Sequence, residues 1–128
     1  MHIETVVEHC CTALRKISFN QMMQTKVAQA GAIPLVLEAM ERYLESQGVS
    51  EQGAACLGRL AQLHEVNQKM ISDLGGLPVL TASCIKHPSC RELTYQTVQV
   101  IIQSLVVCLL LTLTAPHSPH SCSLWLLA

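Results

Sequence analysis

The chain has 128 residues, of which 50% are hydrophobic, 13% are charged and 3% are aromatic, and its formal net charge is −1. This length suits one domain with an ample core, and the low aromatic content favours packed helices over sheets. A net charge this close to zero excludes a general electrostatic attraction for nucleic acid or for an anionic membrane.

Seven cysteines are present, an odd number, and Cys10 and Cys11 are adjacent. Most of the others lie inside apolar patterns that are typical of helices. The N-terminus, MHIETVVEHC, lacks the basic start and the apolar run of a signal peptide. We therefore predict reduced cysteines that pack as small core residues of an intracellular protein, cytoplasmic or nuclear, without a disulfide framework.

The first predicted element in the chain is an amphipathic helix over residues 3–18. Asn20 is placed to cap a short helix over residues 21–30. Gly31 ends this helix, because the residue after a helix often needs a left-handed backbone. Pro34 then lies in the first turn of a second helix, where its missing N–H costs no hydrogen bond.

The second helix is predicted to run to about residue 44, and residues 45–50 are predicted to form a loop. A third helix is predicted over residues 51–63, with Leu57 and Leu60 on its apolar face. Three helices, two short and one long, therefore make up this unit of the chain.

The same order of elements returns in the next unit. A short helix is predicted over residues 66–74, the pair Gly75-Gly76 forms the turn, and a second helix covers residues 78–86. Ser89 and Glu92 have the spacing of a capping box, which predicts that each side chain bonds the other's backbone N–H at the start of a third helix.

Two phrases, GAIPLVLEAM at 31–40 and GGLPVLTASC at 75–84, are nearly the same and lie 44 residues apart. When they are aligned on their prolines, Gln24 also matches Gln68. The predicted third helices share a second phrase, LRKI in the first, LGRL in the next and, more loosely, IQSL in the last. A period of this length is typical of helical solenoids, in which stacked units bury one continuous core.

These phrases resemble the armadillo repeat, and the two-helix HEAT repeat shares the proline. The armadillo resemblance covers residues 3–106 and implies an all-α, right-handed superhelical solenoid fragment. It implies the third helix of a truncated repeat at 3–18, a full repeat at 21–63 and a second repeat at 64–106. Neither end has the polar cap of a complete solenoid, so we expect a piece of a longer protein or a shortened product or isoform of one.

The armadillo resemblance also implies a function. In that family the third helices line a concave groove, and an Asn in the third-helix phrase binds the backbone of an extended peptide. The corresponding positions here are Lys16, Arg59 and Ser104, so this ladder of Asn side chains is absent and the groove is expected to be mildly basic. The predicted binding strip, which carries no aromatic residue, consists of His9, Thr12, Lys16, Gln52, Ala55, Arg59, Thr97, Val100 and Ser104.

We therefore expect a non-catalytic scaffold that binds a peptide or helix of a protein partner, with an acidic peptide as the natural match. One alternative is a structural spacer of a larger protein that binds nothing itself, and another is a tail-anchored adaptor. No enzyme activity or cofactor is expected. The chain has no GxSxG, P-loop or GxGxxG motif, its carboxylates are scattered, and the turn accounts for Gly75-Gly76.

A zinc site is also not expected. Two short stretches of the chain carry Cys and His at spacings that could supply metal ligands. However, Cys84 fits the core face of a helix, and His87 with Pro88 fits a turn. The residues considered are Cys84, His87, Cys90, His117, His120 and Cys122.

The end of the chain is unusual, because no Asp, Glu, Lys or Arg follows Glu92. Residues 107–128 are expected to form an apolar tail and not a further armadillo helix pair. A long third helix over residues 93–114, a splice or frameshift product, or a membrane anchor would each explain it. The densest apolar run, 100–113, is shorter than the roughly 20 residues that span a bilayer. A membrane partner is therefore ranked last, and self-association through the tail is expected.

Overall fold

A computed structural model describes residues 2–114, which form seven α-helices and one short 3₁₀ helix, with no strand in that range. The helices are α1 (His2–Ile17), α2 (Gln21–Gln29), α3 (Ala32–Arg42), α4 (Gln47–Ala61), α5 (Glu65–Asp73), α6 (Gly76–Lys86) and α7 (Arg91–Thr114), with the 3₁₀ helix at Pro88–Cys90.

The helices form two stacked three-helix repeats, α2–α4 and α5–α7, preceded by α1. Each helix contacts its counterpart one repeat later, since α2 packs on α5, α3 on α6, and α4 between α1 and α7. Burying each large aliphatic side chain contributes about 1.5–3 kcal/mol, so this stack is held together mainly by its core. The largest side chains that are fully buried there are Ile33, Met40, Leu57, Leu60, Ile71, Leu80 and Ile101.

The two glycine turns have the geometry that the repeated phrase predicts. Gly31 has φ 90° and Gly75 has φ 80°, and each separates the first helix of its repeat from the second. A side chain in this left-handed region would cost about 1–2 kcal/mol. Pro34 and Pro78 each lie at the third position of the next helix, where no intrahelical donor is lost. Both parts of this prediction are confirmed.

Asn20 caps α2 as predicted, because its side-chain oxygen accepts a 2.8 Å hydrogen bond from the Met23 N–H. The predicted loop over residues 45–50 is wrong in its second part, since α4 already begins at Gln47. Ser46 caps α4 by accepting a bond from the Val49 N–H. The helix therefore starts four residues before the start at residue 51 that the sequence pattern predicts.

The predicted capping box at Ser89 and Glu92 is also wrong. Pro88 opens a 3₁₀ turn that delays α7 to Arg91. The Ser89 hydroxyl instead donates to Glu51 Oε1 at 2.7 Å, and Glu92 accepts a bond from Gln96. The Ser89 side chain therefore links α7 to the preceding third helix and does not cap its own helix.

Further polar contacts join the loop after α3 to the loop after α6. Lys86 Nζ lies 2.9 Å from Glu45 Oε2, and His87 Nε2 donates to the Leu44 carbonyl at 2.6 Å. Together with the Ser89 bond to α4, these contacts connect the first repeat to the second at one end of the helices.

Helix α7 is a single helix of 24 residues. Its buried residues, Thr94, Thr97 and Ile101, all lie in the first half, and the large apolar side chains after Ile101 are exposed. The helix continues past the predicted boundary at residue 106, as the long-helix explanation of the tail requires. The remainder of the predicted tail, including Pro116 and Pro119, lies outside the described residues.

Candidate protein-binding groove on the third-helix face

The three third helices, α1, α4 and α7, lie side by side and form a groove with a cavity of about 400 Å³. The long helices present one face to this groove and their opposite face to the core. The lining residues are Arg15 from α1, Ala54, Ala55, Gly58, Arg59 and Gln62 along α4, and Leu93, Gln96, Thr97 and Val100 on α7. Small side chains form the floor, and long polar side chains form the rim.

Part of the predicted strip lies in this groove. Ala55, Arg59, Thr97 and Val100 line the cavity, and Ser104 lines an adjoining one. His9, Thr12, Lys16 and Gln52 are not among the residues that line either cavity.

From α1 the groove receives Arg15, which the sequence analysis did not select. Successive residues of an α-helix point about 100° apart, so a choice between Arg15 and Lys16 decides which side chain enters the groove. Lys16 is exposed and Arg15 is half-buried. Lys16 aligns with Arg59 in the repeat, but a sequence alignment does not show how far α1 is rotated about its own axis relative to α4. That rotation decides which of its side chains faces the groove.

Gly58 sets how closely α4 approaches α7. A Cβ atom at this position would lie 2.7 Å from the Thr97 hydroxyl oxygen, which is closer than such atoms pack. Thr97 is buried and donates to the Leu93 carbonyl at 2.9 Å, so its hydroxyl is held in place. The absence of a side chain at residue 58 therefore lets the two helices meet at the floor of the groove.

The positive charge of the groove is not neutralised within the described residues. Three other basic side chains form ion pairs on the surface, Arg42 with Glu38, Lys69 with Asp73 and Lys86 with Glu45. Neither Arg15 nor Arg59 has a carboxylate within 4.0 Å among residues 2–114. Both guanidinium groups are therefore available to an external anionic group.

A second cavity, of about 720 Å³, continues the groove past the end of α4. It shares Gln62 and Val100 with the first cavity, so the two are adjacent. Its lining residues are Gln21, Gln62, Leu63, Glu65, Gln68, Val100, Gln103, Ser104 and Val107. The first cavity is basic, whereas the second has amide and aliphatic side chains and one carboxylate.

The C-terminal end of α4, which separates the two cavities, is held by buried amide side chains. The last carbonyls of a helix have no partner within the helix. Gln24 Nε2 donates to the Arg59 carbonyl at 2.6 Å and to the Gln62 carbonyl at 3.0 Å. The backbone at Arg59 and Gln62, which both line the groove, is thus bound to α2.

Helix α5 completes this arrangement from the opposite side. Asn67 Nδ2 donates to the Leu60 carbonyl at 2.9 Å, and Gln68 Nε2 donates to the Ala61 carbonyl at 2.7 Å. Gln24 and Gln68 occupy the same position in the two aligned repeats, but the sequence did not indicate their role. Their shared position in the repeat could have indicated this role, because a glutamine that recurs on an apolar helix face needs a buried hydrogen-bond partner.

Among the described residues, two buried cysteines lie on helices that form the groove, Cys11 on α1 and Cys56 on α4. Cys11 and Cys56 are buried free thiols. Burial raises the pKa of Cys56 to about 12, with a further contribution from Cys11, and burial also raises the pKa of Cys11. A thiol with a raised pKa is protonated at neutral pH and is a poor nucleophile.

Within 2–114, no three His, Cys, Asp or Glu side chains come together in a group that could hold a metal ion. Of the Cys and His considered in the sequence, Cys84, His87 and Cys90 lie in this range, and His117, His120 and Cys122 lie outside it.

Comparison with known proteins agrees with the repeat architecture. Armadillo repeat-containing protein 6 from Pongo abelii is 28% identical to the chain over 119 residues, which cover 78% of this chain and 23% of that protein. The fold is an armadillo-like α-solenoid. No family model matches the chain, and no solved structure matches it. The armadillo-like solenoid described here spans about a quarter of the length of this curated relative.

Proposed function

We propose that this armadillo-like solenoid is a non-catalytic protein-interaction scaffold that binds an acidic peptide along the groove between α1, α4 and α7. The similarity to an armadillo repeat protein supports this proposal, because proteins of that kind are generally intracellular interaction scaffolds. The observation that carries it is a pair of guanidinium groups, Arg15 and Arg59, on two adjacent helices of one groove, neither of which has a carboxylate partner within residues 2–114.

The geometry suits an extended peptide that crosses the three helices. Packed helices lie about 8–10 Å apart, so the distance from α1 to α7 is roughly 16–20 Å. An extended chain advances about 3.3 Å per residue, so five or six peptide residues cover this distance. Carboxylates of such a peptide would meet Arg15 and Arg59, which can each form two parallel hydrogen bonds with a carboxylate.

The affinity is expected to be moderate. No aromatic side chain lines the first cavity, and aromatic residues are the usual strong anchors of protein interfaces. Charge pairs at an exposed groove are weakened by salt, so binding should fall as the ionic strength rises. The expected location is the cytoplasm or the nucleus, and no nucleic acid is expected to bind.

The test uses fluorescence anisotropy with labelled six- to eight-residue peptides that carry two or three carboxylates among aliphatic residues. The full chain should bind these peptides more tightly than their Gln-for-Glu counterparts. The double variant Arg15→Gln, Arg59→Gln should weaken binding at least tenfold while circular dichroism stays unchanged. Arg42→Gln, Arg91→Gln is the matched control, because it removes the same charge at exposed positions outside the groove.

A further double variant tests whether Arg15, which lines the groove in the structure, or Lys16, which the repeat alignment indicates, contacts the peptide. Lys16→Gln, Arg59→Gln should weaken binding less than Arg15→Gln, Arg59→Gln does. If the two double variants and the control bind equally well, the groove is not the binding surface. If no peptide binds to the unaltered chain, the spacer alternative is favoured.

A further inference from the structure

The C-terminal part of α7, residues 102–114, is here called the α7 extension. It follows Ile101, the last buried residue of the helix, and none of its own residues is buried, although Gln103, Ser104 and Val107 line a cavity with the solenoid. Only Gln103, Ser104, Thr112 and Thr114 in it carry a polar oxygen or nitrogen on the side chain. After Ser104, seven consecutive residues are aliphatic or cysteine.

The extension is apolar around its whole circumference. Leu109, Leu110 and Leu111 are 58%, 53% and 37% exposed. Successive residues of a helix point about 100° apart, so these three leucines lie on three different sides. A surface helix that packs on one neighbour has a polar stripe on its outer face, whereas a helix that is apolar all round needs an apolar environment on every side.

The length of the extension limits what that environment can be. By length and composition the helix from Pro88 to Thr114, 27 residues, is long and apolar enough to cross a membrane. However, Thr94, Thr97 and Ile101 hold its first half against the solenoid. The 13 residues of the extension are about 20 Å long at 1.5 Å per residue, compared with roughly 30 Å for the apolar core of a bilayer.

The hydroxyl groups near the end of the extension are already paired. Thr112 Oγ1 donates to the Cys108 carbonyl and Thr114 Oγ1 to the Leu110 carbonyl, each at 2.8 Å. Polar groups that are unsatisfied in an apolar medium cost several kcal/mol each. Because these hydroxyls bond within the helix, they can enter lipid without that full cost.

We propose that the α7 extension inserts into a lipid bilayer and does not by itself span it. A second copy of the chain is a less suitable partner, since a contact between two chains covers one side of the helix and leaves the other leucines in water. The lipid need not be anionic, because no charged residue follows Glu92. From the sequence the membrane ranks last, and the exposed leucines on three different sides of the helix reverse that order.

The proposal is tested by flotation of the full chain with phosphatidylcholine vesicles on a density gradient. The chain should float with the vesicles and should stay bound in 1 M NaCl, because the interaction is apolar. Leu109→Asp, Leu111→Asp places charges on two sides of the extension and should reduce the floating fraction at least tenfold. Both sites are exposed, so the solenoid should keep its helicity, which circular dichroism checks.

The matched control, Leu35→Asp, Ile85→Asp, changes two exposed aliphatic residues on α3 and α6, away from the extension. This control should float as the unaltered chain does. A full chain that remains at the bottom of the gradient as a discrete dimer would overturn the proposal in favour of self-association. Equal flotation of the extension variant and the unaltered chain would overturn it as well.

A second measurement reports on insertion directly. Cys108 lies in the extension and Cys10 is exposed on α1. With vesicles present, a water-soluble maleimide should modify Cys10 and leave Cys108 protected, and detergent should restore the reaction of Cys108. Peptide mapping by mass spectrometry distinguishes the two sites. Modification of Cys108 at the same rate with and without vesicles would contradict insertion.

Discussion

Helices α4 and α7 are the third helices of successive repeats, yet their environments differ. α4 lies between α1 and α7 and buries eight of its 15 residues, whereas α7, within residues 2–114, packs on one third helix and buries three of its 24. In a solenoid a helix is stabilised by the neighbours on both sides. The difference shows that the burial of α4 goes together with a third helix on each side of it, α1 and α7.

The largest expected effect on stability comes from shortening a buried side chain of α4. Leu57 is fully buried, so Leu57→Ala should lower the free energy of unfolding by about 2–5 kcal/mol through lost apolar burial and a cavity. The matched change in the uncovered helix, Leu109→Ala, should alter it by less than about 0.5 kcal/mol in lipid-free solution. Urea denaturation of both variants measures the contrast, and similar losses would show that the extension is packed.

The cysteines of the two helices provide a second contrast. Cys56 on α4 is fully buried and its pKa is raised to about 12, so it should not react with iodoacetamide at pH 7.5 until the chain unfolds. Cys108 on α7 is half-buried and should react measurably in the folded, lipid-free chain. Peptide mapping over time gives both rates. Equal rates at Cys56 in native buffer and in denaturant would mean that α4 is not stably covered.

The turns should behave alike in both repeats, in contrast to the third helices. Gly31→Val and Gly75→Val should each destabilise the fold by about 1–2 kcal/mol, because a branched side chain is strained at positive φ. No atom lies within 4 Å of a Cβ built at either position, so the cost should come from the backbone alone. Gly31→Asn and Gly75→Asn are the controls and should cost less, since Asn tolerates this conformation. Thermal unfolding measures all four variants.

The smallest effect concerns the polar link between α4 and the start of α7. Hydrogen bonds from Gln47 and then Ser89 lower the pKa of Glu51 below its usual 4.5. A carboxyl with a lowered pKa stabilises the fold above its unfolded pKa, and this contribution is lost as the pH falls through the folded value. Ser89→Ala should raise the pKa of Glu51 towards 4.5 and reduce the pH dependence of stability below that pH.

An NMR titration of the Glu51 carboxyl carbon measures this change. No change in the Glu51 titration after Ser89→Ala would show that the Ser89 bond does not persist in solution. In that case the link between the two third helices would depend on packing alone.

The sequence alone determined the features that depend on a few neighbouring residues. Gly31 and Gly75 at positive φ, the prolines in the following first turns and the cap at Asn20 all follow from local backbone chemistry, and the 44-residue period predicts the repeats. A long helix over residues 93–114 was one of the explanations that the apolar run after Glu92 left open, and the structure has a helix there.

Only the tertiary structure decided which side chains face each other across helices that are some 40 residues apart in the chain. Arg15 lines the groove in place of Lys16, the Ser89 hydroxyl bonds Glu51 on α4, and Gln24 reaches the end of α4. A rotation of 100° separates one residue from the next on a helix, and the packing of neighbouring helices sets this rotation. The local sequence pattern does not show how each helix is rotated against its neighbours. The residues that line the groove could therefore be identified only from the packed structure.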